Sequence, residues 1–302
     1  MSGVDELSSS SLRLGDPDAL LRRLAADGYL FFPGLLPAAE VSAAADGVRA
    51  ALRRGGWIDD RGNASADRRA LNPMDARSDP AFRAALISPA FNRLPYLAEL
   101  RRLIRMILGP RSFSYPAKVL RAMYPERPPG MARGRYVHQD YAVSGVQDML
   151  TTWVPLADIP LRRGGLAVRP GSHLGPPQHP HVLGPGERGW ATTNYRAGDV
   201  LVFHCLTSHA ALPNRDTALR LSGDFRWQRS DQPAPVQLVL GPGGQRELFS
   251  RLFARKPWWE PVPGDLPLIP RERLVGISPG PSRYFPVHPG WRHWRMPAGA
   301  VH

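Results

Sequence analysis

Cysteine and lysine are scarce in this chain of 302 residues, and long apolar runs are missing. The one cysteine, Cys205, excludes an internal disulfide framework and fits a reducing compartment. Within Phe-His-Cys-Leu, we interpret Cys205 as a small buried hydrophobe rather than a nucleophile. No apolar run approaches the roughly 20 residues that a membrane-spanning helix needs. The first residues lack the basic and apolar regions of a secretory signal, so we expect a cytoplasmic protein without membrane contact.

Acidic residues number 26 against 39 lysines and arginines, so the formal net charge is +13. A basic balance of this size is compatible with nucleic acid, anionic lipid or acidic substrates. However, the basic residues come in pairs such as Arg22-Arg23 rather than in a block, and all but two are arginine, which favours a compositional origin. Zinc-finger spacing and an aromatic-basic RNA-binding signature are also missing. Nucleic-acid binding or demethylation is therefore the weaker alternative for the function.

The organisation of the chain changes near Arg111. We expect a loose tail over 1–14, a helical layer over 15–110, a β-rich core over 111–230, and a Pro- and Trp-rich segment over 231–302 that wraps the same domain. Asp16-Pro17 and Gly28 are typical of the start and end of a first helix. Beyond Arg111, Pro and Gly interrupt short apolar runs about every ten residues, as in an antiparallel sandwich or barrel. Candidate strands are 114–124, 135–141, 150–156, 165–169, 200–205 and 219–228, and one short helix is expected around 244–254.

The stretch Tyr136-Val-His-Gln-Asp140 has the spacing of two metal ligands. Side chains alternate along a strand, so His138 and Asp140 are expected on one side of a sheet. An imidazole and a carboxylate are two of the three ligands of a 2-His-1-carboxylate iron site. Downstream, either His204 or His209 could supply the third ligand, and the spacing alone does not choose between them.

A basic residue follows the histidines on the next candidate strand. Arg220 lies eleven residues after His209, and Ser222 is two further along on the same face. An arginine fork binds a carboxylate through two hydrogen bonds, and a nearby hydroxyl adds one donor. This pair is what a keto-acid co-substrate would need beside an open metal site.

Several stretches together resemble the phytanoyl-CoA dioxygenase family of iron(II)/2-oxoglutarate oxygenases. They cover about residues 20 to 228, and their order and spacing are more specific than any one of them. The matching stretches are Asp27-Gly-Tyr-Leu-Phe-Phe-Pro-Gly34, Tyr136 to Asp140, Trp153-Val-Pro-Leu-Ala-Asp158, Gly164 to His173, Gly198-Asp-Val-Leu-Val-Phe-His204, and His209 through Asn214 to Arg220.

The resemblance implies a double-stranded β-helix, or jelly-roll, with His138, Asp140 and His209 as ligands of Fe(II). It also implies that Arg220 binds 2-oxoglutarate, with Trp153 and the strand around Leu120 lining that pocket; O2 is the other co-substrate. Halogenases of the family replace the carboxylate ligand, so the retained Asp140 disfavours halogenation. A small polar residue often follows the second histidine by two, but here it is Ala211.

The expected reaction is hydroxylation of a small molecule, for which we expect a bacterial secondary-metabolite intermediate, with conversion of 2-oxoglutarate to succinate. Desaturation, epoxidation or cyclisation at the same centre, and a cupin-like isomerase or zinc enzyme with the same triad, stay open as alternatives. The loop 176–194 is the candidate lid, and 57–78 is a second specificity loop. We expect a monomer or homodimer. Possible substrate-facing residues are Tyr136, Gln139, Tyr141, Gln147 and Arg226, with Arg135 and Arg226 as candidates for an anionic substrate.

Overall fold

The structure is a computed structural model, and it describes residues 4–65, 79–116, 118–126, 136–184, 186–241, 245–270, 273 and 282–290. A helical layer comes first, as the sequence predicts. Its helices are α1 (Pro17–Asp27), α2 (Ala38–Arg54), α3 (Pro80–Leu86), α4 (Pro89–Arg93) and α5 (Ala98–Leu108). Asp16 caps α1 by accepting a hydrogen bond from Ala19 N at 2.9 Å. The helix ends at Gly28, whose φ of 77° is left-handed.

Two facing sheets form the core, mostly from strands that come after the helices in the chain. The strands in chain order are β1 (Val4–Glu6), β2 (Tyr29–Phe32), β3 (Ser112–Ser114), β4 (Val119–Met123), β5 (Tyr136–Val137), β6 (Leu150–Pro155), β7 (Leu166–Val168), β8 (His181–Val182), β9 (Trp190–Thr192), β10 (Val200–His204), β11 (His209–Ala211) and β12 (Arg220–Arg229). The larger sheet has the order β2-β10-β6-β12-β3, and β4 also pairs with β12. The smaller has the order β1-β9-β7-β11, and a bridge between His138 and His209 joins it to the β5-β8 pair. This is the jelly roll that the resemblance implies.

The two faces of the larger sheet have different roles, because side chains alternate along a strand. Leu150, Val154, Leu221 and Phe225 point outward into a large cluster with the helices. Trp153 and Leu201 point inward and pack with residues of the smaller sheet. The inner face therefore lines the space in which a site can lie, and the outer face anchors the helical layer.

The predicted loose tail is wrong for residues 4–14. Val4, Asp5 and Glu6 pair in parallel with Trp190, Ala191 and Thr192. Leu7 is 5% exposed and packs in the interior cluster. A short strand without a turn signal gives little periodicity, and its partner lies more than 180 residues away along the chain.

The region after the core contains more regular structure than the sequence predicts. It has β13 (Ala234–Pro235), α6 (Val236–Leu240), α7 (Gln245–Phe253) and β14 (Leu268–Ile269). The helix expected around 244–254 is confirmed over the range of α7. Of the loop expected at 57–78, residues 66–78 lie outside the described residues, as does Arg135. None of the helices in the described ranges has the length and apolar character needed to cross a membrane.

Candidate metal centre and co-substrate pocket

Three side chains with metal-ligand chemistry meet where β5, β11 and the turn after β5 come together. The ligand atoms of His138, Asp140 and His209 all lie within 4.8 Å of one another. Oδ1 of Asp140 is 4.0 Å from Nε2 of His138 and 3.9 Å from Nε2 of His209. Two imidazoles and one carboxylate form the donor set of non-haem iron(II) oxygenases. The residues present therefore fit an iron ion.

Main-chain pairing places the two histidines opposite each other. His138 N donates to His209 O at 3.1 Å, and His209 N donates to His138 O at 3.0 Å. Residues that exchange both hydrogen bonds across an antiparallel pair point their side chains to the same face. Since the smaller sheet faces the larger one, both rings point into the jelly roll.

Asp140 reaches the site for a different reason from the one that the sequence suggested. We predicted a strand over 135–141 in which alternation aligns His138 with Asp140. In the structure β5 ends at Val137, and Asp140 (φ −59°, ψ −24°) begins a turn that continues into a single helical turn over Tyr141–Ser144. The predicted proximity is correct, but strand alternation is the wrong explanation for it.

Hydrogen bonds at the far side of each ring define which nitrogen faces the site. Nδ1 of His138 lies 3.1 Å from the carbonyl of Tyr136, and Nδ1 of His209 lies 3.0 Å from the carbonyl of Thr207. Only an Nδ1–H can donate to a carbonyl, so Nε2 keeps its lone pair for a metal. Burial lowers the pKa of both histidines, that of His209 to about 3, so both rings are neutral near pH 7.

The carboxylate ligand is held by two groups of the larger sheet. Thr151 Oγ1 donates to Oδ2 of Asp140 at 2.5 Å, and Arg226 Nη2 donates to Oδ1 at 3.3 Å. Burial opposes ionisation of Asp140, but the charge of Arg226 and these hydrogen bonds outweigh it and hold its pKa well below the usual range. Asp140 is therefore an anion in the folded protein.

His204, the other candidate for the third ligand, has different partners. It is fully buried, and its Nε2 lies 3.2 Å from Oδ1 of Asp148. Its Nδ1 accepts a hydrogen bond from Leu206 N at 3.2 Å. Both ring nitrogens of His204 thus have hydrogen-bond partners outside the cluster of His138, Asp140 and His209.

Arg220 lies buried on the inner face of β12 and is 1% exposed. Nη1 donates to Ser222 Oγ at 2.8 Å, and Nη2 contacts Sδ of Met123. The guanidinium carbon lies 5.8 Å from the ring centre of Trp153. Burial lowers the pKa of Arg220 to about 10, which leaves it charged near pH 7.

Arg220 also has an unused donor. Its Nε is buried without a hydrogen-bond partner in the described part of the chain. A buried guanidinium is stable only with an anion or several acceptors around it. Arg220, Ser222 and Trp153 therefore fit a carboxylate co-substrate.

Leu120 does not line this pocket, and that prediction is wrong. Leu120 pairs directly with Gly223, and its side chain belongs to the outer cluster with the helices. Its neighbours Arg121 and Met123 pair with Ser222 and Arg220 and share the inner face. The strand was identified correctly, but the face was shifted by one residue.

The predicted substrate-facing residues divide between packing and the site. Tyr141 is 1% exposed and packs in a core cluster behind the turn, so its assignment to the substrate is wrong. Gln147 is half-buried and contacts Asp148 at 3.4 Å. Arg226 pairs with Asp140, and Tyr136 is 58% exposed beside His138.

Gln139 and the predicted lid are connected. The Gln139 side chain is buried, donates to the carbonyl of Leu206 at 2.6 Å and accepts from Gln178 N at 3.0 Å. Within 176–194, β8 pairs with β5, and β9 pairs with β7. The segment is thus partly sheet rather than only a loop, and Gln139 attaches it to the metal-binding turn.

Sequence reasoning missed Thr151 and Arg121. Thr151 is two residues before Trp153, so its place on the inner face follows from alternation once Trp153 is assigned to the pocket. Arg121 lies on a strand edge that no motif marks, and only the pairing with β12 places it beside the site.

A jelly roll with this donor set and a buried arginine across from it defines the iron(II)/2-oxoglutarate-dependent oxygenases. The family model described as Phytanoyl-CoA dioxygenase (PhyH) matches residues 24–222. The chain belongs to this family, and iron(II) and 2-oxoglutarate are its cofactor and co-substrate.

Two curated relatives carry the same name, 1-deoxypentalenic acid 11-beta-hydroxylase. The protein from Streptomyces exfoliatus is 26% identical over 240 residues, which covers 71% of this chain and 82% of the relative. The protein from Streptomyces arenae is 32% identical over 114 residues, a match that spans 30% of this chain and only 40% of the relative.

Solved structures share the fold. The epimerase SnoN in complex with Fe3+, alpha ketoglutarate and nogalamycin RO is 22% identical, with a TM-score of 0.53 over 85% of this chain and 98% of that one. EctD from S. alaskensis, with 2-oxoglutarate and 5-hydroxyectoine, is 19% identical, with a TM-score of 0.52 over 88% of this chain and 90% of that one.

Proposed function

We propose that the protein hydroxylates a small-molecule intermediate of natural-product biosynthesis. The observation that carries the proposal is the meeting of His138, Asp140 and His209 in one interior with the buried Arg220. The hydroxylase names of the two curated relatives support the reaction type. A cytoplasmic location and a monomeric or homodimeric state stay predictions.

Each residue has a role that its surroundings support. His138 and His209 offer neutral Nε2 atoms, and Asp140 offers an ionised oxygen, so the three together hold Fe(II). Arg220 and Ser222 bind the distal carboxylate of 2-oxoglutarate, and the ring of Trp153 covers the guanidinium. Iron(II) bound here supplies the activation of O2 that is coupled to decarboxylation of 2-oxoglutarate to succinate.

The chain's own contribution is orientation and shielding. Thr151 and Arg226 hold Asp140 in one orientation, so its carboxylate would stay a ligand of bound iron(II) while the co-substrate and O2 bind. Residues 176–194 border the site beside β5 and exclude water when substrate is bound. Hydroxylation rather than halogenation follows from the carboxylate of Asp140, which occupies the place that a halide would need.

Succinate formation tests the proposal. The iron(II)-loaded protein with 2-oxoglutarate and O2 should release succinate, and a substrate that it accepts should raise the rate and gain one oxygen atom. Asp140→Gly should abolish hydroxylation, and Arg220→Ala should remove succinate formation at ordinary 2-oxoglutarate concentrations. Full hydroxylase activity in Asp140→Gly would contradict the assigned site. Turnover without any succinate would instead favour an isomerase or a zinc enzyme.

A further inference from the structure

One glutamine of the segment 176–194 contacts both stretches of chain that carry the metal ligands. The main-chain N–H of Gln178 donates to Oε1 of Gln139 at 3.0 Å, and Gln139 lies between the first two ligands in the sequence. Oε1 of Gln178 accepts a hydrogen bond from Ser208 Oγ at 3.0 Å, and Ser208 directly precedes the third ligand. Gln178 therefore bridges the metal-binding turn and β11 and belongs to neither of them.

The two partners of Gln178 are themselves fixed in place and buried. Gln139 is 1% exposed, and its Nε2 also donates to the carbonyl of Leu206 at 2.6 Å. Ser208 is fully buried, and its main-chain N–H donates to Ser172 Oγ at 2.9 Å. Because the Ser208 hydroxyl is shielded from water, removal of its acceptor leaves a buried donor unpaired, which costs more than the loss of a hydrogen bond at the surface.

The attachment at Gln178 matters because the pairing that follows it is short. β8 pairs with β5 through two residues on each strand, and Leu183 adds a half-buried contact with the cluster around Val137. The ring of His181 lies 3.4 Å from the carboxylate of Glu187, which belongs to the same stretch. A two-stranded pairing of this length is marginal on its own, and segments of this kind open locally at a low cost in free energy. The position of the segment beside β5 therefore depends on what holds Gln178.

We propose that Gln178 is a positioning residue that couples the metal centre to the segment 176–194. A metal ion draws together the ligands of the turn after β5 and of β11, and so fixes Gln139 and Ser208 at the separation that Gln178 spans. Metal binding then stabilises the segment beside the site. This inference rests on the proposed function, because it takes the triad as the metal ligands.

The coupling has a thermodynamic consequence in the opposite direction. If metal binding stabilises the attached segment by a given factor, the attached segment raises the metal affinity by the same factor. A variant that loosens Gln178 should therefore lose metal affinity although it changes none of the three ligands. A glutamine with a merely structural role would instead affect local stability equally with and without metal.

Hydrogen exchange followed by mass spectrometry tests the first direction. Mn(II) takes the place of iron, which avoids oxidation, and the exchange of the amides of 178–184 is compared with and without the metal. Mn(II) should slow their exchange by at least about fivefold, the lower end of typical coupling between two sites. The amides of α7 should exchange at the same rate in both samples, because α7 belongs to neither sheet of the jelly roll.

Variants at both ends of one hydrogen bond test the second direction. Gln178→Ala removes the acceptor and Ser208→Ala removes the donor, and each should weaken Mn(II) binding about fivefold and reduce the protection of 178–184. The double variant should be no weaker than either single variant, because all three lack the same bond. Gln178→Glu keeps an acceptor for the Ser208 hydroxyl and should retain both the Mn(II) affinity and the protection.

Gln237→Ala is the matched control. Gln237 is half-buried on α6, and its Oε1 has no hydrogen-bond partner in the described part of the chain, so this variant should change neither property. Equal exchange of 178–184 with and without Mn(II) in the unchanged protein would overturn the coupling. Unchanged Mn(II) affinity in both alanine variants, or additive losses in the double variant, would also overturn it.

The inference can fail independently of the proposed function. Succinate formation is measured on the same proteins with iron(II) and O2: if succinate forms while the coupling is absent, the role of Gln178 is wrong and the oxygenase is not. Failure of the unchanged protein to bind Mn(II) would overturn the triad and the coupling together.

Discussion

Asp140 is the ligand whose position depends most on its neighbours. It lies in a turn rather than on a strand, so the main chain alone does not hold its carboxylate as firmly as β11 holds His209. Thr151 and Arg226 hold the carboxylate instead, each through a hydrogen bond to one of its two oxygens. Hydrogen-bond partners of this kind orient the metal ligands, so Thr151 and Arg226 belong to the metal site.

Removal of the Thr151 hydroxyl should therefore weaken metal binding. Thr151→Val keeps the shape of the side chain but leaves Oδ2 of Asp140 without its donor. We expect a loss of about 10- to 100-fold in affinity for Mn(II), which replaces iron in a calorimetric titration without oxidation. Succinate formation at saturating metal should fall much less.

Thr152→Val is the matched control for this change. Its hydroxyl donates to the carbonyl of Phe225 at 3.2 Å and accepts from Trp227 Nε1 at 3.0 Å, on the outer face of the same strand. This variant should lose stability but keep its metal affinity. Equal Mn(II) affinities in Thr151→Val and the unchanged protein would show that Arg226 alone suffices to hold Asp140.

Among the helices and strands, the predictions from sequence were most accurate where local residue patterns determine the structure. The first helix, with Asp16 as its cap and Pro17 at its start, and the long apolar strands β6, β10 and β12 are found close to their predicted bounds. The short strands β1, β8 and β11 were missed because two or three residues carry too little periodicity. They exist through pairing with strands that are distant along the chain, a contribution that composition does not show.

The site was predictable for a different reason. His138, Asp140 and Arg220 stand out by chemical type and spacing, and the family resemblance selected His209 over His204, so the roles of all four were proposed before the strand bounds were known. Leu120 and Tyr141 were misassigned because a shift of one residue along a strand, or a turn in place of a strand, changes the face. Residue types and their spacing thus predict the chemistry of the site, whereas the direction of an apolar side chain depends on the strand register.

The carboxylate of Asp148 joins the turn before β6 to the segment 282–290. Asp148 has a φ of 56°, the one positive φ of a residue other than glycine in the described ranges. It accepts hydrogen bonds from His204 at 3.2 Å, Ser282 Oγ at 2.6 Å and Arg283 N at 3.0 Å. Burial opposes ionisation of Asp148, but these bonds outweigh it and lower its pKa.

Asp148→Asn should cost stability in a pH-dependent way. Asparagine tolerates a positive φ, so the change removes mainly the charge. Because the folded-state pKa is lower than the unfolded one, the stabilisation is fully present above about pH 4 and is lost as the pH falls through the folded-state pKa. Urea unfolding should show a deficit of about 1 to 3 kcal/mol at pH 7 that shrinks below pH 4.

Asp60→Asn serves as the control for this series, since the Asp60 side chain is fully exposed. It should stay within about 0.5 kcal/mol of the unchanged protein at every pH. A deficit in Asp148→Asn that does not vary with pH would mean that shape, not charge, joins the segment 282–290 to the core.

For the whole molecule, the sites on the inner face link ligand binding to stability. The triad lies at the end of β5, in the turn that follows β5, and on β11. Arg220 belongs to β12 of the opposite sheet. Ligands that contact both sheets hold them together, and a ligand that binds only the folded state stabilises it by mass action. Metal and co-substrate should therefore raise the melting temperature in two separable steps.

Mn(II) at 100 times its dissociation constant should stabilise the fold by about 2.7 kcal/mol, and 2-oxoglutarate at the same excess should add a second increment of similar size. Each step corresponds to roughly 5 °C for a domain of this size, which differential scanning fluorimetry resolves. Arg220→Gln should keep the first step and lose most of the second, because only the distal carboxylate loses its partner. Asp140→Gly should lose both, since the co-substrate also needs the metal. A second step of full size in Arg220→Gln would place 2-oxoglutarate away from β12.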